Sequence, residues 1–265
     1  MIRSLTFDFF SKIYKIIYRM LFVIIFLALW EIAPRVGWVD TVFLPPFSKV
    51  IEELFTMIIS GEIFEHILIS LQRAFLGFSL ALVISIPLGS LIGWFKKLEF
   101  FADPLLQLFR QTSALALFPV FLLFFGIGEL SKVAIIFWGV QWAILLSTIS
   151  GVKNVDPLLI KSAISMGATR LTLFFKVILP AAFPTIFVGI RLSATTSILI
   201  LIAAEMMGAN KGLGFLLTDS EVKYLIPKMY AAIITMTILG FILNYILVAI
   251  EKRITRWKED LPFTE

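Results

Sequence analysis

Residues 156–180 read DPLLIKSAISMGATRLTLFFKVILP. Asp156-Pro157 is a helix start, an N-cap acid followed by proline at the first helical position. Leu159, Ala163 and Met166 then fall at i, i+4 and i+7, on one helical face. Gly167 is placed to end that helix in a left-handed conformation. Thr169 can cap a second short helix, with Leu171, Phe174 and Ile178 on one face, and Pro180 is expected to stop it. Neither helix is long enough to cross a bilayer, which takes about 20 residues. The segment is basic and half apolar. It reads as a helix–turn–helix platform at a membrane surface, either packed on its own bundle or docking a soluble partner. The residues themselves leave both readings open.

The flanks explain why a membrane is invoked. Val133–Val152 precedes the segment with 20 uncharged residues, and Val177–Ala204 follows it, broken only by Arg191. Farther out, Ala74–Phe95 and Met229–Ile250 are uncharged over 22 residues each, and Pro104–Gly128 is broken only by Arg110. Each can form a spanning helix. Near the N-terminus, Lys12, Lys15 and Arg19 can snorkel from the entry turn of a weaker span at about 13–33. It lacks the small-residue cleavage site of a removed signal peptide. Six spans are expected, at about 13–33, 74–95, 104–127, 132–152, 183–206 and 229–250.

Composition agrees. The 265 residues are 60% hydrophobic, with 23 basic and 18 acidic side chains, where a soluble domain of this length carries roughly 66 charged residues. Mean hydropathy is +0.99. A soluble globule cannot hide that much apolar surface, so an ordinary soluble enzyme and a disordered chain are both excluded. Cysteine is absent and His66 is the single histidine. That rules out disulfides, thiolate metal sites, cysteine nucleophiles and multi-histidine metal sites. The net charge of +5 is read as marking cytoplasmic loops rather than nucleic-acid binding. With the N-terminus inside, 16 Lys/Arg fall in cytoplasmic stretches and seven outside, so both termini are expected in the cytoplasm.

The outer connection Pro34–Ser70 holds the rigid Leu44-Pro45-Pro46 and an amphipathic stretch, Phe47–Ser70. His66 lies there beside Glu62 and Glu65 and is expected to be solvated. Ionisable groups at membrane depth are costly and usually face an interior. Arg191 and Glu205 bracket the fifth span about 21 Å apart, too far to pair. Arg191 reads as a cytoplasmic anchor or as a contact to the 156–180 segment. Glu205, Gly208 and Asn210 are candidates for an outer gate, the alternative for Gly208–Gly214 being a mobile surface turn. In the third span, Gln111, Thr112 and Ser113 either line a pathway or bond neighbouring helices, and Pro119 can kink the helix. Gly89-x-x-x-Gly93 can let two helices approach closely. Asn244 is expected to make an interhelical hydrogen bond. No P-loop occurs, since Gly208-x-x-x-Gly212 lacks the Lys-Ser/Thr ending. Gly77-Phe78-Ser79-Leu80-Ala81 misses the nucleophile-elbow pattern.

Lys161-Ser162-Ala163, three residues, Gly167, and the ending Ile178-Leu179-Pro180 resemble the "EAA" signature of ABC importer permeases. Leu44-Pro45-Pro46-Phe47-Ser48, Ile86-Pro87-Leu88-Gly89, Gly126-Ile127-Gly128-Glu129-Leu130-Ser131-Lys132 and Ala203-Ala204-Glu205-Met206-Met207-Gly208-Ala209 are similar to stretches of the nitrate/sulfonate/taurine group. The resemblance covers about Phe43–Trp257. It implies an all-α polytopic membrane protein with the type I ABC importer permease fold. Residues 1–65 would hold the first span and an external amphipathic segment, 66–250 the transmembrane core with coupling segment 155–180, and 251–265 a cytoplasmic tail.

It further implies a non-catalytic multi-pass subunit in a bacterial cytoplasmic (inner) membrane, with no cofactor of its own. The implied partners are two P-loop ATPase subunits carrying ATP and Mg, a second permease copy (as a homodimer), an extracytoplasmic solute-binding protein and membrane lipid. Lys161, Ser162, Ala163, Gly167, Ala168, Thr169 and Pro180 would form the coupling helix, small Ala163 permitting close approach of the ATPase. Lys161 stands where the family is acidic, so the usual salt bridge to the ATPase cannot form. The solute would be small and polar or anionic, nitrate-, sulfonate- or taurine-like or a thiamine precursor, moved by alternating access. A stand-alone secondary transporter or channel is the rival reading. It would show two similar halves or intramembrane acids, and neither is evident.

Overall fold

The computed structural model describes residues 21–254, and every regular element among them is helical. Helix α1 covers residues 21–36 of that range. There follow α2 (Phe47–Ile59), α3 (Glu62–Trp94), α4 (Lys96–Arg110), α5 (Ala114–Phe125) and α6 (Glu129–Lys153). The chain continues through α7 (Pro157–Ser165), α8 (Arg170–Leu173), α9 (Leu179–Gly208), α10 (Leu213–Val222) and α11 (Ile226–Ile254). Part of the expected first span and most of the expected tail lie outside the described residues.

Four described stretches are long and apolar enough to cross a membrane: Glu62–Trp94, Glu129–Lys153, Arg170–Gly208 and Ile226–Arg253. The expected span at 104–127 is not one continuous helix. α4 and α5 meet at a bend of 95°, and only together do they pass as a span. The break falls at the three successive polar residues. Gln111 closes α4, and Ser113 turns to an extended conformation, its hydroxyl accepting from the Ala116 N–H at 3.5 Å. Short polar side chains compete with the helix for backbone partners, which favours caps over helix interiors. Pro119 sits inside α5 without ending it.

The chain forms two compact units. One comprises the residues up to Ile63 with Leu217–Ile234. Within it Trp30 packs on Phe47 and Tyr230, with ring centres 5.4 and 5.7 Å away, and donates to the Pro45 carbonyl at 3.1 Å. The Leu44-Pro45-Pro46 stretch is thereby held. The amphipathic region Phe47–Ser70 falls in two helices, parted at Ser60-Gly61.

The other unit comprises Phe64–Leu216 with the chain from Thr235. Its centre is a seam between α3 and α6. Gly77, Ala81, Ser85, Gly89 and Gly93 recur at every fourth position of α3, making a stripe of small residues. A Cβ on Gly77 would lie 2.7 Å from Ile136, one on Gly89 2.8 Å from Thr148, and one on Gly93 3.1 Å from Val152. The close approach expected of Gly89 and Gly93 is present. Each pair has the same separation along the chain, so α3 and α6 run parallel. Against α9 the order reverses: Gly139 faces Ile200, Gly189 faces Ser147, and Gly151 faces Thr185. Thus α6 and α9 are antiparallel. Two parallel spans require a return crossing between them, which is the role left to α4 and α5. Ile135, Ile136, Val140, Ile144 and Phe118 are completely buried in this core.

Candidate functional site

At the Lys153 end of the second unit stands the α7–α8 hairpin. Its local signals act as the sequence predicts. The Asp156 carboxylate accepts from the Leu158 N–H at 2.8 Å, Gly167 has φ +81°, and the Thr169 hydroxyl accepts from the Thr172 N–H at 3.3 Å. The Met166 and Ala168 N–H groups close the turn on the Ser162 and Ala163 carbonyls.

Two expectations change here. Ala163 does not face outward. It is buried with Val152, Val155, Leu173, Ile178 and Ala182, seating the hairpin on its own bundle. Lys161 and Ser162 are exposed, as are Leu158, Leu159, Ile164 and Met166, the last at 81%. Nor does Pro180 stop a helix. α8 passes through a single π-helical turn, Phe174–Ile178, into α9, giving one run from Arg170 to Gly208. The Leu179 N–H bonds to the Phe174 carbonyl, five residues back. That wide turn changes the hydrogen-bond pattern just ahead of the proline, where a regular α-helix would be interrupted. Ala168 is half-buried, while Thr169 and Pro180 are exposed. Arg191 pairs with Glu251 of α11 at 2.7 Å.

At the opposite end the structure assembles a buried ionic clamp. Glu205, near the C-terminus of α9, has a fully buried side chain. Its carboxylate accepts from the Ser70 hydroxyl at 2.8 Å, Arg73 Nη1 at 2.7 Å and the Gly214 N–H at 2.9 Å. Arg73 also donates through Nη1 to the Lys211 carbonyl at 2.6 Å. Its Nε and Nη2 fork the Glu129 carboxylate at 2.5 and 2.6 Å. One guanidinium thus ties α3, α6, α9 and the 209–212 loop. The loop is pinned again where the Gly212 N–H donates to His66 Nδ1 at 3.0 Å and the Leu213 N–H to Ser70 Oγ at 2.9 Å. Lys211 pairs with Glu65. Gly212 is obligatory by space and backbone. Its φ is +120°, and a Cβ there would lie 2.3 Å from Glu205 Oε1.

This corrects two readings. His66 is not a solvated surface histidine. It is 8% exposed, accepts a backbone N–H, and stacks on Phe215. The alternative of a mobile turn for Gly208–Gly214 is also overturned, since hydrogen bonds from α3 and α9 hold the loop. Of the other predicted residues, Gly208 and Asn210 lie beside the clamp and line a cavity of about 390 Å³ with Arg73, Glu129 and Lys132. Gln111, Thr112 and Ser113 are exposed at the α4–α5 break, apart from the residues lining that cavity. Asn244 lies on an exposed face of α11.

Sequence reasoning missed Ser70, Arg73, Glu129 and Lys132 as a set. A signal existed. Arg73 and Lys132 immediately precede uncharged runs and Glu205 immediately follows one. In spans of alternating direction these positions share one end.

Comparison with known proteins places the chain in a family. Residues 85–256 match the family described as binding-protein-dependent transport system inner membrane component. A protein named as an aliphatic sulfonates transport permease, SsuC, in Bacillus subtilis (strain 168) is 33% identical over 89% of this chain and 86% of its own. The taurine transport system permease protein TauC of Escherichia coli (strain K12) is 31% identical, covering 89% of this chain and 88% of its own. In fold, the chain resembles a solved chain of the MetNI methionine ABC transporter, with a TM-score of 0.66 at 20% identity over 73% of this chain and 96% of that one.

Proposed function

Because the chain belongs to the family of inner membrane components of binding-protein-dependent transport systems, we propose that it is the permease subunit of an ATP-driven importer for a small anionic solute of the sulfonate or taurine class. The solute class rests on the relatives named for sulfonates and taurine. The subunit itself is non-catalytic. ATP and Mg belong to two partner ATPase chains, a second permease copy completes the pathway, and an extracytoplasmic binding protein delivers the solute.

The observation that carries the mechanism is the α7–α8 hairpin. One face is buried in the bundle through Ala163 and Leu173, while Leu158, Leu159, Lys161, Ile164 and Met166 stand exposed beside it. A hairpin anchored on one side and open on the other transmits a push. Its exit through the π-turn into the 39-residue run Arg170–Gly208 connects an ATPase docked there to the Glu205 clamp about 53 Å of helix away. Movement of that run relative to α6 would exchange inward and outward access.

In this reading there are six spans; the directions of α3, α6 and α9 fit alternate crossings, and the Lys/Arg bias puts both termini and the hairpin in the bacterial cytoplasm, with the clamp outside. By the same reading residues 1–65 form the first span and external amphipathic segment, 66–250 the core with coupling segment 155–180, and 251–265 the cytoplasmic tail. Lys161, Ser162, Gly167, Ala168 and Thr169 form the ATPase contact. Ala163 and Pro180 shape its base. Glu205, Gly208 and Asn210 belong to the outer gate.

Affinity capture of the full chain from its own cells, followed by uptake in vesicles, tests this. The expected result is a co-purified P-loop ATPase and vanadate-sensitive, ATP-dependent uptake of taurine or another alkanesulfonate. Uptake driven by an ion gradient without any ATPase would overturn the reading in favour of a stand-alone transporter.

A further inference from the structure

The clamp has a permanent side and an exchangeable side. Glu205 is buried behind Arg73 and, with the Lys211 carbonyl, holds Nη1 in place. In front stands Glu129, whose side chain is 65% exposed although its partner's is 5% exposed. Arg73 and Lys132 are themselves 4% and 3% exposed, so neither can turn to bulk water in exchange for a lost counter-ion. Both face the cavity of about 390 Å³ at the mouth of the unit, within the usual range for small-molecule sites. Among the charged groups lining it, Arg73, Lys132 and Lys211 are cationic and Glu129 alone is anionic. Lys211 is engaged by Glu65.

The geometry points to a binding site for a small sulfonate or carboxylate in which Glu129 occupies the ligand's place. A carboxylate presents two oxygens to the Nε–Nη2 fork of Arg73, and a sulfonate can do the same with a third oxygen to spare. Lys132 Nζ, 3.9 Å from Glu129 Oε1 and bonded to the Gly128 carbonyl at 3.0 Å, lies next to that third position. The first turn of α6, where Glu129 sits, adds the positive end of a helix dipole. When Glu129 swings to water, the Glu205 side of Arg73 is unchanged, so the fork stays aimed. A neutral solute cannot replace a carboxylate there. Glu129 therefore acts as a charge filter, displaced by anions and retained against neutral molecules. This rests on the importer reading and deepens it by placing an anion contact on this chain.

The test uses the full chain in detergent, with methanesulfonate as probe and dimethyl sulfone as its uncharged counterpart, followed by calorimetry. E129Q removes the internal competitor and is expected to bind methanesulfonate at least tenfold more tightly than the native chain, with no gain for dimethyl sulfone. E129A, lacking the whole carboxylate, gives the same gain if the amide itself perturbs folding. Adding K132Q to either variant removes at least that tenfold. Equal methanesulfonate affinity in native, E129Q and E129A chains overturns the proposal, as does an equal gain for dimethyl sulfone. Binding is read on the chain alone, so a missing ATPase would sink the importer reading and leave this result standing. ATP-dependent uptake with unchanged E129Q affinity would do the reverse.

Discussion

Arg73 and Glu205 meet at 2.7 Å with side chains 5% and 0% exposed, although one stands on α3 and the other on α9. A pair this deep owes little to water. Its worth lies in what each partner becomes when the other is lost, because an unpaired buried charge is far costlier than an exposed one.

E205Q preserves shape and removes the charge. It is expected to lower unfolding stability in detergent by about 3 kcal/mol, measured by chemical denaturation. The double variant R73M/E205M should lose less than the two single changes added together, since no orphaned charge remains. A loss under about 1 kcal/mol for E205Q would place the pair with solvated surface bridges.

G212A adds a Cβ where the Glu205 carboxylate already stands, 2.3 Å away, at φ +120°. The expected cost is about 1–3 kcal/mol, with limited proteolysis appearing in the 208–214 loop. A loop as protease-resistant as the native one would show that the clamp can shift to make room.

The α3–α6 seam should resist added volume. G89V pushes into Thr148 and the Leu145 carbonyl, at a cost of about 1–3 kcal/mol. G240A is the control, because nothing lies within 4 Å of its Cβ position. Its thermal unfolding should be unchanged or shifted upward, as alanine favours helix over glycine.

Gly167 has open space around it but a left-handed backbone. Aspartate tolerates that conformation better than most residues, so G167D should leave the chain folded in the membrane while placing a charge on the hairpin turn. ATPase capture and solute uptake should both fall at least tenfold. Native uptake in that variant would remove the hairpin from the coupling route.

The absence of cysteine gives a clean background for orientation. S60C should react with an impermeant maleimide applied outside intact cells, and S165C only after the inner face is exposed. The opposite pattern would invert the topology and place the hairpin away from any cytoplasmic ATPase.

Much of this was legible before any coordinates. Asp156, Gly167 and Thr169 act as written, because caps and left-handed turns depend on the few residues beside them. The sequence did not show which residues of α7 turn inward. Leu159 and Met166 share a helical stripe with Ala163, yet only Ala163 is buried, since helical spacing names candidate faces without choosing one. The bend in the third expected span escaped notice for a related reason. Hydropathy sums over Gln111, Thr112 and Ser113 and does not register that Ser113 caps a new helix at 95° to the last.

The sequence by itself determined that this is a helical membrane protein, which runs are apolar enough to cross, and where a short hairpin interrupts them. Those properties follow from transfer of side chains out of water and from hydrogen bonds made within a turn or two. Only the tertiary structure decided that Arg73 holds Glu205 and Glu129 together, that His66 is an interior acceptor, and that Pro180 continues a helix. Such contacts join residues far apart in the chain. Whether they meet depends on the rotation and register of whole helices, which packing along the small-residue seam sets and no local pattern records.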